Sequence, residues 1–218
     1  MAFDIRLKPK FKLFLTGPSG CGKTSFVISI LNNLQDFTQE PPTKVIYYYK
    51  QWQFKFDQLR ESKMVNEFKS DTENILNDIR EQASEKSLLV IFDDLLNCNH
   101  ISQIAELFTV DGRHLGISSI FLTQRMFVNN EYFRQISQNS DYFCVFKNPR
   151  NSSEIRTLAS QLTPGSLELI EFYRQATKEP YSYLFINLTQ ECAQQVKYLC
   201  NIFKNVHSVQ AFVLNSCC

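Results

Sequence analysis

A lysine and a threonine close a glycine-rich octet near the start of the chain, and two adjacent aspartates end an apolar run far downstream. These are the residues with the clearest chemical use. The octet is GPSGCGKT, Gly17 to Thr24, set between the apolar run Phe11 to Leu15 and an apolar pattern of helical period. In such a strand-loop-helix setting the glycines let backbone amides curl around phosphates, and a lysine reaches the β and γ oxygens of a nucleoside triphosphate. Gly17, Pro18, Ser19, Gly20, Cys21, Gly22, Lys23, Thr24 and Ser25 form the expected nucleotide-binding set for ATP, with the Thr24 hydroxyl placed to hold Mg²⁺. The run Leu88-Leu89-Val90-Ile91-Phe92 delivers Asp93 and Asp94. Asp93 is expected to hold Mg²⁺ with Thr24, directly or through water, and Asp94 to orient or deprotonate an attacking water. A further strand, Ile117 to Thr123, ends at Gln124, an uncharged amide suited to sense the γ-phosphate or the water without adding charge beside Asp94.

A triphosphate accumulates charge as it is cleaved, and an arginine from a neighbouring subunit is a common way to stabilise it. Arg113 is the first choice for that role; Arg125 and Arg150, each just past a strand end, are alternatives, and solvated arginines are the plain reading of all three. His100 reads as a surface or cap residue at the start of a helix. No Ser-His-Asp or Cys-His order stands out, so nucleotide hydrolysis is the chemistry with a coherent set of parts. The segment IYYYKQWQFKFDQL, Ile46 to Leu59, interleaves rings with Lys50 and Lys55. With 19 Phe in the chain, these rings are assigned to packing or a subunit contact ahead of base stacking, and the two lysines to phosphate contact.

The elements that must position these groups follow from periodicity. Strands are expected at Lys12 to Thr16, Lys44 to Tyr49, Leu88 to Phe92, Ile117 to Thr123, Tyr142 to Phe146 and Tyr183 to Leu188. Helices are expected through Phe26, Val27, Ile30, Leu31 and Leu34, through Ile75, Leu76 and Ile79 behind a Ser70/Glu73 capping box, and at Ile101 to Phe108. Two more are expected, one behind an Asn151/Glu154 box and one opened by Thr163-Pro164 towards Tyr173. Residues 50–69 carry no assignable register. The tail from Thr189 is expected to contain a helix with Cys192, Val196, Leu199 and Phe203 near one face. Strands alternating with helices predict an α/β fold: a P-loop NTPase of the additional-strand type, with a mostly parallel central sheet flanked by helices. A single P-loop ATPase domain is expected over residues 1–218, its core about 11–188 and a short extension at 189–218.

Composition narrows the class further. At 218 residues and 44% hydrophobic the chain has material for one substantial core. A formal charge of +1 gives no global field for nucleic acid, so any basic surface must be local. Seven cysteines without a CxxC pair read as reduced intracellular thiols, and the three histidines are too scattered for a zinc site. The terminal Cys217-Cys218 reads as a chance pair, with lipidation as the alternative. No apolar run approaches the roughly 20 residues that span a bilayer, and no signal-peptide pattern opens the chain.

Taken together, GPSGCGKTSF, IYYYKQWQ, LLVIFDDLL, DGRHLGISSIFLTQRMF, DYFCVFKNPRNSSEIRTLASQLTPG and EPYSYLFINL resemble the genome-packaging ATPases of double-jelly-roll DNA viruses and of Polinton or Maverick virus-like elements. These include the poxvirus-type packaging ATPase and belong to the FtsK-HerA division of P-loop ATPases. The resemblance covers about Lys12 to Leu188. It implies an ATP-driven motor that assembles as a homo-oligomeric ring and moves double-stranded DNA into a capsid, in contact with capsid or portal-vertex proteins. It also implies a place inside the host cell, in nucleus or cytoplasm, or in association with the virion. By position in the pattern, Lys23 and Thr24 are the phosphate and Mg²⁺ residues, Asp93 and Asp94 the acidic motif, Gln124 the sensor and Arg113 a characteristic basic position. The division commonly has Glu where this chain has Asp94, which shortens the reach to water. Three other readings stay open: an AAA+-type replication initiator or helicase loader, a nucleotide kinase, and an ATP-binding assembly subunit without turnover.

Overall fold

Nine strands form one sheet in the order β3-β2-β4-β5-β1-β6-β7-β8-β9 in the computed structural model, which describes residues 4–70, 72–83, 87–203 and 209–214. The strands are β1 (Lys12–Thr16), β2 (Lys44–Tyr49), β3 (Glu67–Lys69), β4 (Leu88–Asp93), β5 (Ser118–Thr123), β6 (Tyr142–Phe146), β7 (Tyr183–Asn187), β8 (Tyr198–Cys200) and β9 (Gln210–Phe212). Strands β1 to β6 pair in parallel, and β7, β8 and β9 extend the sheet by antiparallel pairing. The central strands β1, β4, β5 and β6 are buried at every position, which explains their continuous apolar runs: both faces are covered. On one face Phe14, Phe92, Phe121 and Phe143 pack against helical residues such as Ile104, Phe108 and Phe133. On the other, Leu13, Leu15, Ile91 and Leu122 meet Phe26, Val27 and Ile30.

The helices are α1 (Lys23–Asn32), α2 (Leu34–Phe37), α3 (Phe54–Glu61), α4 (Ile75–Ala83), α5 (Ile101–Phe108), α6 (Val110–His114), α7 (Glu131–Gln138), α8 (Ser153–Leu162) and α9 (Glu168–Ala176). The apolar face expected after the octet is that of α1, which buries Phe26, Val27, Ile30 and Leu31; α1 ends at Asn32, however, and Leu34, expected on the same helix, begins α2. The stretch without assignable register resolves into α3 and the short edge strand β3. Most of the segment's rings are packed, since Tyr47, Tyr49, Trp52 and Phe56 all contact Phe68 on β3 within 5.2 to 6.5 Å between centroids, whereas Phe54 is exposed.

Four local expectations are corrected. The tail does not form the expected helix: a 3-10 turn, Gln194–Val196, leads into β8 and β9. Tyr198 and Cys200 enter one core and Leu199 the other, a two-residue period that a four-point helical match conceals. The edge of β7 is thereby paired instead of exposed. Helix α4 starts at Ile75, beyond the reach of a Ser70/Glu73 box, and Gln103 Oε1 on α5 accepts from the Leu76 N–H at 3.0 Å. Before α8, Asn151 accepts from the Ser153 N–H at 3.2 Å, two residues on, while Glu154 accepts from the Met126 N–H instead of closing a box. Thr163 ends α8, donating to Ala159 O, and α9 opens only at Glu168, whose N–H is held by Ser166 Oγ. The Cys217-Cys218 pair lies outside the described residues.

The position of β5, between β4 and β1, decides the site. Because β1, β4 and β5 run parallel, the octet after β1, the aspartates ending β4 and Gln124 after β5 all emerge at the same edge of the sheet. In open parallel sheets that edge is where ligands bind.

Candidate nucleotide site

Lys23 and Thr24 are the first two residues of α1, and Gly22 is its N-cap, with φ +109°. A side chain at Gly22 is disfavoured by that conformation, and the first turn carries no acidic residue. The free N–H groups and the positive end of the helix dipole therefore face the loop, an arrangement that attracts a phosphate anion. At Gly17 the constraint is space: an added Cβ would lie 2.7 Å from Phe146 Cβ and 2.8 Å from Cys21 Sγ. The loop is held against β6, and the glycine permits that approach.

Lys23 Nζ curls back over the loop, donating to Gly17 O at 2.6 Å and Pro18 O at 3.0 Å. Burial lowers its pKa below the usual lysine range, while Cys21 and the nearby Asp93 and Asp94 act in the opposite sense. Asp93 is buried, and burial raises its carboxyl pKa; the Tyr47 hydroxyl, donating to Oδ2 at 2.8 Å, and the charge of Lys23 counter that rise. Gln53, just before α3, spans the two expected metal residues: Thr24 Oγ1 donates to its Oε1 and its Nε2 donates to Asp93 Oδ2, both at 3.4 Å. One amide thus holds the hydroxyl and the carboxylate on the same side of the loop. A hydroxyl and a carboxylate oxygen beside a phosphate cradle fit Mg²⁺, which binds through few protein oxygens and completes its shell with phosphate and water.

Asp94 turns away from Asp93 because its backbone is left-handed, φ +57°. Its N–H reaches Leu122 O on β5 at 3.2 Å, and its Oδ2 accepts from Gln124 Nε2 at 3.3 Å. Lys55 Nζ donates to Ser25 Oγ at 2.6 Å, so α3 is tied to the first turn of α1. Lys23, Thr24, Asp93, Asp94 and Gln124 line one cleft of about 500 Å³, together with Lys50 and Lys55.

Arg113 is not brought to this cleft. It lies in the last turn of α6, ahead of β5, and Nη2 lies 3.9 Å from Asp141 Oδ1 near the start of β6, at the opposite edge of the sheet. Arg125 and Arg150 are exposed just past β5 and β6, on the nucleotide edge but outside the cleft lining. His100 occupies the residue before α5, where a cap residue sits, and its Nδ1 is 3.4 Å from Gln103 Nε2. From the sequence Tyr47 is one of the rings assigned to packing, and Gln53 has no assigned role; the structure puts both beside Asp93. The first had a usable signal: pairing of β2 with β4 sets Tyr49 opposite Asp93, which leaves Tyr47 on the diagonal and on the same face. Gln53 had none, because only the packing of α3 brings it between Thr24 and Asp93.

With this geometry in place, comparison with known proteins gives a consistent result. The family model described as Poxvirus A32 protein matches residues 2–211. No curated protein matches the chain. Among solved structures, the genome packaging NTPase B204 of Sulfolobus turreted icosahedral virus 2 bound to ATP-gammaS is similar at 14% identity. That match has a TM-score of 0.59 and covers 84% of this chain and 95% of that one. The AMPPCP complex gives a TM-score of 0.60 with the same identity and coverage. The cytoplasmic domain of the Thermomonospora curvata type VII secretion ATPase EccC is similar at 11% identity and TM-score 0.55, over 99% of this chain and 25% of that one. The chain belongs to the poxvirus A32 protein family.

Proposed function

We propose that this member of the poxvirus A32 protein family hydrolyses ATP to drive double-stranded DNA into a capsid, acting as one subunit of a homo-oligomeric ring inside the infected cell. The observation that carries the hydrolytic reading is β5. It is inserted between the strand that leads to the phosphate loop and the strand that ends in the aspartates, and it sets Gln124 Nε2 3.3 Å from Asp94 Oδ2. A water polarised by Asp94 and held by Gln124 would stand before the γ-phosphate carried by Lys23 and the α1 N–H groups. Thr24 and Asp93 would hold Mg²⁺, which supplies charge neutralisation across the β and γ oxygens. Lys50 and Lys55 would add positive charge where the phosphates lie. Arg113 lies near Asp141 and away from its own cleft, so a role for it in hydrolysis would have to be exercised across a subunit interface, at a neighbour's site. The packaging direction of the reading comes from the family and from the B204 resemblance; capsid or portal-vertex proteins are the partners it implies.

The alternatives are less well supported. An AAA+ loader is expected to carry a helical lid after the core, whereas the tail here adds β8 and β9 to the sheet. A nucleotide kinase has no use for Gln124 beside Asp94 at an inserted strand. Steady-state phosphate release with and without long duplex DNA, alongside the mass of the assembly in solution, tests the motor. DNA-stimulated turnover in a ring is the expected result; turnover only with a small phosphate acceptor would replace the motor with a kinase.

The Tyr47 hydroxyl makes a smaller and separable contribution. It stabilises ionised Asp93 against burial, so Tyr47→Phe should raise the Asp93 pKa further. The protonated fraction at a given pH then grows, and the acid limb of the ATPase profile moves to higher pH. Half-saturating Mg²⁺ should rise by about tenfold, the scale of one hydrogen bond to a charged group. A pH profile superimposable on wild type would remove Tyr47 from the site.

A further inference from the structure

We infer that Tyr181 is the platform on which the nucleotide base stacks, in a groove that adjoins the phosphate cleft; this rests on the nucleotide reading above. Tyr181 lies in the loop between α9 and β7, and it is an exposed large ring in a chain whose other tyrosines include the fully buried Tyr47, Tyr48, Tyr142 and Tyr198. Its side chain sits over the phosphate loop: a Cβ added to Gly22 would be 3.6 Å from Tyr181 Cβ and 3.7 Å from Cδ1. Its backbone is left-handed, φ +61°, a conformation disfavoured for a bulky residue and characteristic of binding sites when it persists. Asp94 at φ +57° lines the phosphate cleft and Asn201 at φ +54° the adjoining groove in the same conformation, which Lys10 and Lys63 also adopt away from both spaces. The loop is fixed from below, with Lys147 Nζ donating to Lys178 O at 3.0 Å and Ser182 Oγ to Glu179 O at 2.5 Å.

The direction of the nucleotide follows from the cleft. Asp94 and Gln124 mark the end at which the γ-phosphate must lie, so the α-phosphate, ribose and base extend the other way, past Gly22. There the cleft opens into a groove of about 1010 Å³, and Tyr181 lines both spaces. The lining of the groove is mixed: the largely buried rings of Phe26 and Phe146, the amide of Asn201, and the charged Lys55, Lys178 and Glu179. A flat heteroaromatic base with polar edges matches a ring face beside an amide.

Binding of ATP and of inorganic tripolyphosphate to Tyr181→Ala, Tyr181→Phe and Lys23→Ala, followed by titration calorimetry, tests the assignment. Tyr181→Ala should weaken ATP about ten- to a hundredfold, the scale of one aromatic stacking contact, and leave tripolyphosphate affinity unaltered, while Tyr181→Phe retains ATP. Unchanged ATP affinity in Tyr181→Ala, or an equal loss for both ligands, would overturn the base platform. Lys23→Ala should lose both ligands; retention of both would instead bring down the phosphate-site reading on which the platform depends.

Discussion

Lys23→Ala is expected to lower kcat for ATP by about 10²- to 10³-fold, the cost of removing a preorganised donor from developing phosphate charge. The structure makes this variant informative, because the ammonium touches little besides the loop it serves. Its two strong hydrogen bonds go to Gly17 O and Pro18 O, local carbonyls within the octet, and its burial already disfavours the charged form. A cation held in a half-buried loop at a cost in solvation has its compensation in an anion brought from outside. The loop itself is braced independently, by the approach of Gly17 to Phe146 and by the packing of Phe26 and Val27 beneath α1. Thermal unfolding of the variant should therefore stay close to wild type while phosphate release collapses. Undiminished turnover would reject the phosphate assignment, and a collapsed melting profile would show that the lysine is structural.

The parts of this site legible from the sequence are those encoded in contiguous residues. The octet carries its own geometry, and an unbroken apolar run as short as Leu88 to Phe92 reads as a strand covered on both faces, with Asp93 and Asp94 at its end, as β4 shows. Gln124 was legible for the same reason. What the sequence leaves open is set by chain segments that meet only in the folded state. Gln53 joins Thr24 to Asp93 because α3 packs its Phe56 into the aromatic cluster with Tyr47 and Phe68, and nothing in residues 50–69 announces that register. The tail misled because Cys192, Val196, Leu199 and Phe203 satisfy a helical spacing while the exposed edge of β7 offers hydrogen bonds that a helix could not use. Arg113 had the right residue type, but its edge of the sheet depends on α6 turning back before β5, which only the three-dimensional arrangement shows.

Asp94→Asn should separate binding from chemistry. The left-handed backbone at Asp94, φ +57°, is one that asparagine adopts with less strain than most residues, so the turn after β4 should persist. The amide oxygen can still accept from Gln124 Nε2 in place of Oδ2, and Asp93, whose carboxylate is oriented by Tyr47 and Gln53, is untouched. Lost are the negative charge and the capacity to take a proton from water. Mg²⁺-ATP affinity should then be retained while kcat falls by about 10²- to 10⁴-fold, the range for removal of a general base. If kcat is unchanged, Asp94 neither orients nor deprotonates the water, and the acidic pair reduces to the metal residue Asp93. If affinity falls with kcat, Asp94 shares the metal with Asp93. Because aspartate is a shorter arm than glutamate, the proposed work of Asp94 on the water would depend on the amide opposite, and the 3.3 Å contact with Gln124 is where a Gln124→Ala variant should reproduce part of the loss in kcat.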